Sequence, residues 1–206
     1  MLRFLWQAVN LTDDFYGAFS HDADEGAVRV YDRGKTPGLD TWTYGFHPTP
    51  RNLGPVGPNT STGYAEMWGG TVRTFPSALG TGTPLGPGGT LAWSEYLVPF
   101  HGTKGLTRAN ARAAAHATAA HAAAATHLLT VRLCPTRPLV GATASVVTAG
   151  GHVVATRSFD ASPDAPATLV FDLDVLGGAP PPTPEGLQVA VTDRDGENVI
   201  TFAAPP

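Results

Sequence analysis

Tyr64, Glu66 and Trp68 alternate with Ala65 and Met67 in the run YAEMWGG. A β-strand turns successive side chains to opposite faces, so this spacing sets a carboxylate between two aromatic rings on one face. Saccharides present apolar C–H surfaces that stack on aromatic rings, and hydroxyls that need fixed acceptors, so such a face suits a sugar ring. A carboxylate desolvated there gains proton affinity and can serve as a base. A structural glutamate on a solvent-facing strand gives the same pattern, and these residues alone leave both readings open. In TLAWSEYLVPF (90–100), Trp93, Glu95 and Leu97 fall on one face and Ser94, Tyr96 and Val98 on the other, which makes Glu95 a second candidate carboxylate. Trp42, in LDTWTYGF (39–46), adds a stacking surface. His21, His47 and His101 lie in loops or at strand ends, where an imidazole can donate to a sugar hydroxyl or act as an acid. A surface histidine is the plain alternative for each.

Other chemistries find little support. The chain has no HExxH pair, no phosphate-cradling glycine loop and no nucleophile elbow. His116, His121 and His127 are five and six residues apart, about 140° and 240° around a helix, and cannot share a helical face as i,i+4 metal ligands do. Asp193 and Asp195 are candidate calcium ligands, with turn aspartates as the plain reading. The single cysteine, Cys134, permits neither an internal disulfide nor a cysteine metal cluster and suits packing in a strand. No metal and no cofactor are expected. With 13 Lys and Arg against 17 Asp and Glu, and no basic run, nucleic acid is excluded as an expected partner.

The elements that must position these residues are short strands. The 206 residues suffice for one large domain or two small ones. Charged residues are only 15% while Gly and Pro number 24 and 19, a turn-rich balance that fits an all-β chain. Three zones follow. Residues 1–106 hold all four tryptophans and all five tyrosines, with strands expected at GAVRVYDR (26–33), LDTWTYGF (39–46), YAEMWGGTVRTF (64–75) and TLAWSEYLVPF (90–100). Between them, HPTPRNLGPVGPNTSTG (47–63) reads as a long loop of the kind that lines a cleft. Residues 107–127 are dominated by alanine, whose helix propensity is the highest, and predict a helical connector. Residues 128–206 lack Trp and Tyr and read as six short strands, with hairpin signals at Gly150-Gly151 and Asp195-Gly196, the pattern of an immunoglobulin-like β-sandwich.

Three runs taken in order carry a resemblance: FYGAFSHDADEGAVRVYDRGKTPGLDTWTYG (15–45), GYAEMWGG (63–70) and LGPGGTLAWSEYLVPFHGTKGLTRAN (85–110). Together they resemble the late part of uncharacterised bacterial domains in the galactose-mutarotase-like superfamily, which includes the aldose 1-epimerases. The resemblance covers roughly the first half of the chain. It implies a partial β-supersandwich over 1–106 whose concave face binds carbohydrate, followed by the connector and the sandwich. Glu66 matches the glutamate that takes the anomeric proton in the epimerases. Trp68 stands where those enzymes usually carry glutamine, and Asp40 where the nearest relatives carry lysine, and both depart from the epimerase pattern. The superfamily fold uses some 250 residues, so the chain reads as the C-terminal part of a longer protein.

The expected function is saccharide binding through Trp42, His47, Tyr64, Glu66, Trp68, Trp93 and Glu95. The alternatives are an aldose epimerase or carbohydrate-active hydrolase completed by further N-terminal sequence, and a ligand-free structural or assembly module. An incomplete supersandwich leaves open sheet edges, which favour a homodimer. The first residues, MLRFLWQAVNLTDD, form neither a signal peptide nor a membrane span, so no membrane is expected as a partner and a cytoplasmic location is favoured.

Overall fold

The computed structural model describes residues 4–7, 12–36, 38–44, 53–54, 57–58, 64–70, 85–122, 126–173 and 186–205. The regular structure among them is entirely β. The strands of the N-terminal half are β1 (Phe4–Gln7), β2 (Phe15–Ser20), β3 (Glu25–Tyr31), β4 (Gly38–Tyr44), β5 (Leu53–Gly54), β6 (Gly57–Pro58), β7 (Tyr64–Gly70) and β8 (Glu95–His101). Those of the C-terminal half are β9 (Arg108–Ala109), β10 (Ala113–Ala122), β11 (Thr126–Pro135), β12 (Leu139–Thr148), β13 (Val153–Ala161), β14 (Ala167–Asp172), β15 (Leu187–Thr192) and β16 (Asn198–Ala203). Among the described residues no helix is long and apolar enough to cross a membrane.

The chain divides into two compact units that interleave in sequence. One takes Met1–Asp14 and Tyr31–Glu95, the other Phe15–Val30 and Tyr96–Pro206. The second is built on a β-sandwich whose two four-stranded sheets run β14-β11-β10-β9 and β13-β12-β15-β16, with antiparallel pairing throughout. Period-two alternation fills the space between them. Leu129, Val131 and Leu133 of β11 and Leu169 and Phe171 of β14 meet Ala144 and Val146 of β12, Val189 and Val191 of β15, and Ile200 and Phe202 of β16 in one core. The two hairpins form as their turn residues dictate. Gly151 adopts φ +79° between β12 and β13, and Gly196 adopts φ +83° between β15 and β16, values open to glycine at little cost.

A third sheet, β2-β3-β8, belongs to the same unit. Val28, Val98 and Phe100 from it pack with Ala109 of β9, Ala114 of β10 and Cys134 of β11 in a second core, flanked by Phe15, Phe19, Val30 and Leu106. Gly26 is required there, because a Cβ at that position would stand 2.6 Å from both the Phe100 ring and the Ala18 carbonyl oxygen. Cys134 is buried in its strand, and that burial pushes its thiol pKa up.

This layering corrects the helical reading of the alanine-rich segment. Residues 113–122 form β10, paired with β11 over its whole length. Ala113, Ala115 and Ala117 face the sandwich core, whereas Ala114 faces the second core. At Ala113, Ala114, Ala115 and Ala117 the strand is buried against these two layers, with room for little more than a methyl group at each of the four positions. Alanine's advantage in a helix is at most about 0.7 kcal/mol per residue over ordinary residues. Burial between two layers, with a continuous ladder, outweighs it. No division of the chain falls at 107–127, because that segment lies inside the same unit as residues 128–206, 15–30 and 96–106.

In the first unit, β1, β4 and β7 form a three-stranded antiparallel sheet in the order β1-β4-β7, and β5 pairs with β6 in a short ladder. The turn after β3 is fixed by Asp32, whose Oδ1 accepts the N–H of Gly34 at 2.8 Å and whose carbonyl accepts that of Thr36 at 2.8 Å. Residues 47–52, with His47, lie outside the described residues, as does most of the long Pro/Gly segment.

Candidate functional site

Pairing in the first unit brings several of the singled-out residues to one sheet. Between β4 and β7, Tyr44 lies opposite Tyr64, Trp42 opposite Glu66 and Asp40 opposite Trp68. Directly opposed residues share a face, so these six positions form one patch of three rows. On the far side of β4, Leu5 lies opposite Trp42 and Gln7 opposite Asp40, which extends the same rows. The patch therefore holds the positions of Trp42, Tyr44, Tyr64 and Trp68 together with two carboxylate positions, Asp40 and Glu66, set on a diagonal about 7–8 Å apart between backbones. The other face is uncharged, with Phe4, Trp6, Leu39, Thr41, Thr43, Ala65, Met67 and Gly69. Asp40 and Tyr44 had no place in the sequence-based set. Alternation within LDTWTYGF would have included them once β4 was paired with β7.

Trp93 and Glu95 belong elsewhere. Trp93 precedes β8, and β8 pairs with β3 rather than with β7. The indole Nε1–H of Trp93 donates to Glu95 Oε1 at 2.9 Å, so this carboxylate is engaged by its own neighbour. His101 has its Nε2 2.8 Å from the Pro163 carbonyl oxygen, an anchoring bond between the β8 end and the β13–β14 connection. His21 lies in the β2–β3 turn, with its ring edge-on to Phe19 at 5.0 Å. His121 and His127, which a helix would separate, are direct partners across the β10–β11 hairpin.

The calcium reading of Asp193 and Asp195 gives way to an ion pair. Asp193 Oδ2 accepts from Arg112 Nη2 at 2.7 Å, and Oδ1 accepts the N–H groups of Glu197 at 2.9 Å and Asp195 at 3.1 Å. Oδ1 is thus spent within the β15–β16 turn and Oδ2 on Arg112 of the β9–β10 connection. Among the described residues no group of His, Cys, Asp and Glu is arranged to hold a metal ion. The Arg112 hydrogen bond, ahead of the opposing cost of burial and the smaller help of the turn amides, holds the Asp193 carboxyl below its usual pKa of 3.8. A depressed folded-state pKa gives stability that is present above the unfolded value and is lost as pH falls through the folded one. Asp193→Asn is expected to flatten the loss of thermal stability between about pH 4 and pH 2 relative to the parent chain. Parallel slopes in calorimetry over that range would count against the pair.

No protein-family model matches the chain, and a search of curated proteins returns no match. Two solved structures of the exo-chitosanase CsxA of Amycolatopsis orientalis are similar to it. One, a variant in complex with PNP-beta-D-glucosamine, is 15% identical over 93% of this chain with a TM-score of 0.32. The other is 15% identical over the same share with a TM-score of 0.31. The chain spans about a quarter, 26%, of the length of those chitosanase chains. At such scores the likeness carries no argument about function.

Proposed function

We propose that the chain is a carbohydrate-related protein that binds a saccharide on the β1-β4-β7 face carrying Trp42, Tyr64, Glu66 and Trp68. The observation that supports this reading is the register of β4 on β7, which gathers these four positions with Asp40 and Tyr44 into one patch. Aromatic positions offer stacking surface to the C–H faces of a sugar, and the carboxylates between them offer acceptors for its hydroxyls. The runs at 15–45, 63–70 and 85–110 add the resemblance to galactose-mutarotase-like domains, in which such a face is concave and holds carbohydrate. In that reading the C-terminal β-sandwich is an immunoglobulin-like appendage. A hydrolase is the second reading, favoured by the presence of two carboxylate positions, Asp40 and Glu66, on neighbouring rows of one face, since glycoside hydrolysis uses a pair of carboxyl groups.

Tryptophan fluorescence of the full chain, titrated with a panel of neutral oligosaccharides, is expected to change saturably with at least one of them. Trp68→Ala combined with Glu66→Ala is expected to weaken that binding roughly 30-fold or more, as for loss of an aromatic hot spot. Affinity that survives the double substitution places the site elsewhere. Release of reducing ends that disappears in Asp40→Asn favours the hydrolase over the binding protein.

A further inference from the structure

The outer face of the β14-β11-β10-β9 sheet carries a second polar constellation, independent of the saccharide reading. His116 of β10 lies directly opposite Arg132 of β11, and Arg132 lies opposite Thr168 of β14. The three form one row with neighbouring Cβ atoms about 4.5–5.5 Å apart. The next row is Thr118, Thr130 and Val170. The alternate residues Ala115, Ala117, Val131 and Leu133 fill the sandwich core, which fixes the His116 row on the side away from it.

His116 is held in one orientation. Thr107 Oγ1 accepts the Ala117 N–H at 3.1 Å and lies 3.0 Å from His116 Nδ1. With the Thr107 hydroxyl as the donor in that contact, a neutral imidazole carries its proton on Nε2. The Gly105 backbone lies against the ring, since a Cβ there would stand 2.8 Å from Cε1 and Nε2 and 2.9 Å from Cδ2. Burial first, then the charges of Arg132 and His21, lower the His116 pKa below its usual 6.5, which leaves the ring neutral at pH 7.

Arg132 is half-buried and makes no hydrogen bond or ion pair among the described residues. Asp24 is close enough to feel its charge, yet is committed elsewhere. Its Oδ2 lies 2.7 Å from Lys104 Nζ, and its Oδ1 accepts the Lys104 N–H at 2.8 Å. Asp24 and Lys104 both adopt left-handed backbone angles, φ 53° and 60°. Asp172, on the same face, is four residues along β14 from Thr168, about 13 Å away. A cation, an oriented imidazole and a hydroxyl consequently share one row, and among the described residues no carboxylate is bound to the guanidinium.

We propose that Arg132, His116 and Thr168 form a binding site for an oxyanion, the carboxylate or phosphate group of a small ligand. Arginine receives such groups through paired N–H donors, and Nε2–H of His116 and the Thr168 hydroxyl supply further donors beside it.

The test uses the full chain at constant ionic strength, with sodium chloride replaced stepwise by sodium phosphate or by sodium acetate while the histidine ring resonances are followed by NMR. The His116 signals are expected to shift saturably with at least one of the two, and the His116 pKa to rise when the anion is bound. Saturation with phosphate alone points to a phosphate-bearing ligand, and with acetate alone to a carboxylate. Arg132→Gln is expected to weaken binding about tenfold or more, the value of a hydrogen bond to a charged group. Arg132→Lys, which keeps the charge and loses the paired donors, serves if the glutamine variant does not fold, and is expected to lose affinity too. Shifts that grow linearly with both anions, or full affinity in the folded variant, overturn the proposal.

Discussion

Truncation of Phe171 to alanine is expected to lower the stability of the sandwich by about 3–5 kcal/mol, the cost of removing a large aromatic ring from a core that cannot close over the cavity. Phe171 is 1% exposed, in the middle of a core walled by both sheets. A domain of this size holds on the order of 5–15 kcal/mol in total, so the variant stands near the edge of folding. Thermal denaturation followed by circular dichroism should show a fall of roughly 6–20 °C. Val170→Thr, one position away on the exposed face of the same strand, is expected to stay within about 0.5 kcal/mol of the parent. Equal small shifts for the two would mean that β14 does not close this core.

The second large effect belongs to β10. Ala114→Leu and Ala115→Leu point to opposite faces of one strand, and each is expected to destabilise by about 1–3 kcal/mol through overpacking. Both alanines are 0% exposed, one against the β2-β3-β8 layer and one against the sandwich interior. A helical connector predicts the reverse, since leucine is almost as good a helix former as alanine and an exposed position would tolerate it. Urea denaturation of the two variants separates these cases. Destabilisation at only one of the two positions would show that one face of the strand is open.

How far the sequence disclosed this architecture depends on where each residue's environment is set. In LQVAVTD and NVITF, and in ATLVFDLD with Leu169, Phe171 and Leu173 on one buried face, alternation is local, and the strands lie where the pattern puts them. The turns at Gly151 and Gly196 were legible for the same reason. The alanine run was not, because its small side chains answer to two layers supplied by residues 15–30 and 96–101 and by the far sheet, none of them adjacent in sequence. Within the candidate saccharide face, alternation alone set Tyr64, Glu66 and Trp68 together. That Trp42 lies opposite Glu66, and that Asp40 and Tyr44 join them, is a matter of strand pairing. Trp93 and Glu95 followed the same local rule, but Trp93 precedes β8, and β8 itself is recruited by β3.

The interleaving of the two units bears on how the chain is made. The layer that covers Ala114 and Cys134 comes partly from Phe15–Val30, which a ribosome releases long before β10 and β11 exist. Tyr31–Glu95 must be spanned before that hairpin can meet its partner strands, and such distant closures slow folding because chain entropy is lost before contacts reward it. During synthesis the early hairpin therefore waits with Val28 and Phe19 uncovered. A nascent chain of this design gains from anything that shields those side chains until residue 135 has emerged.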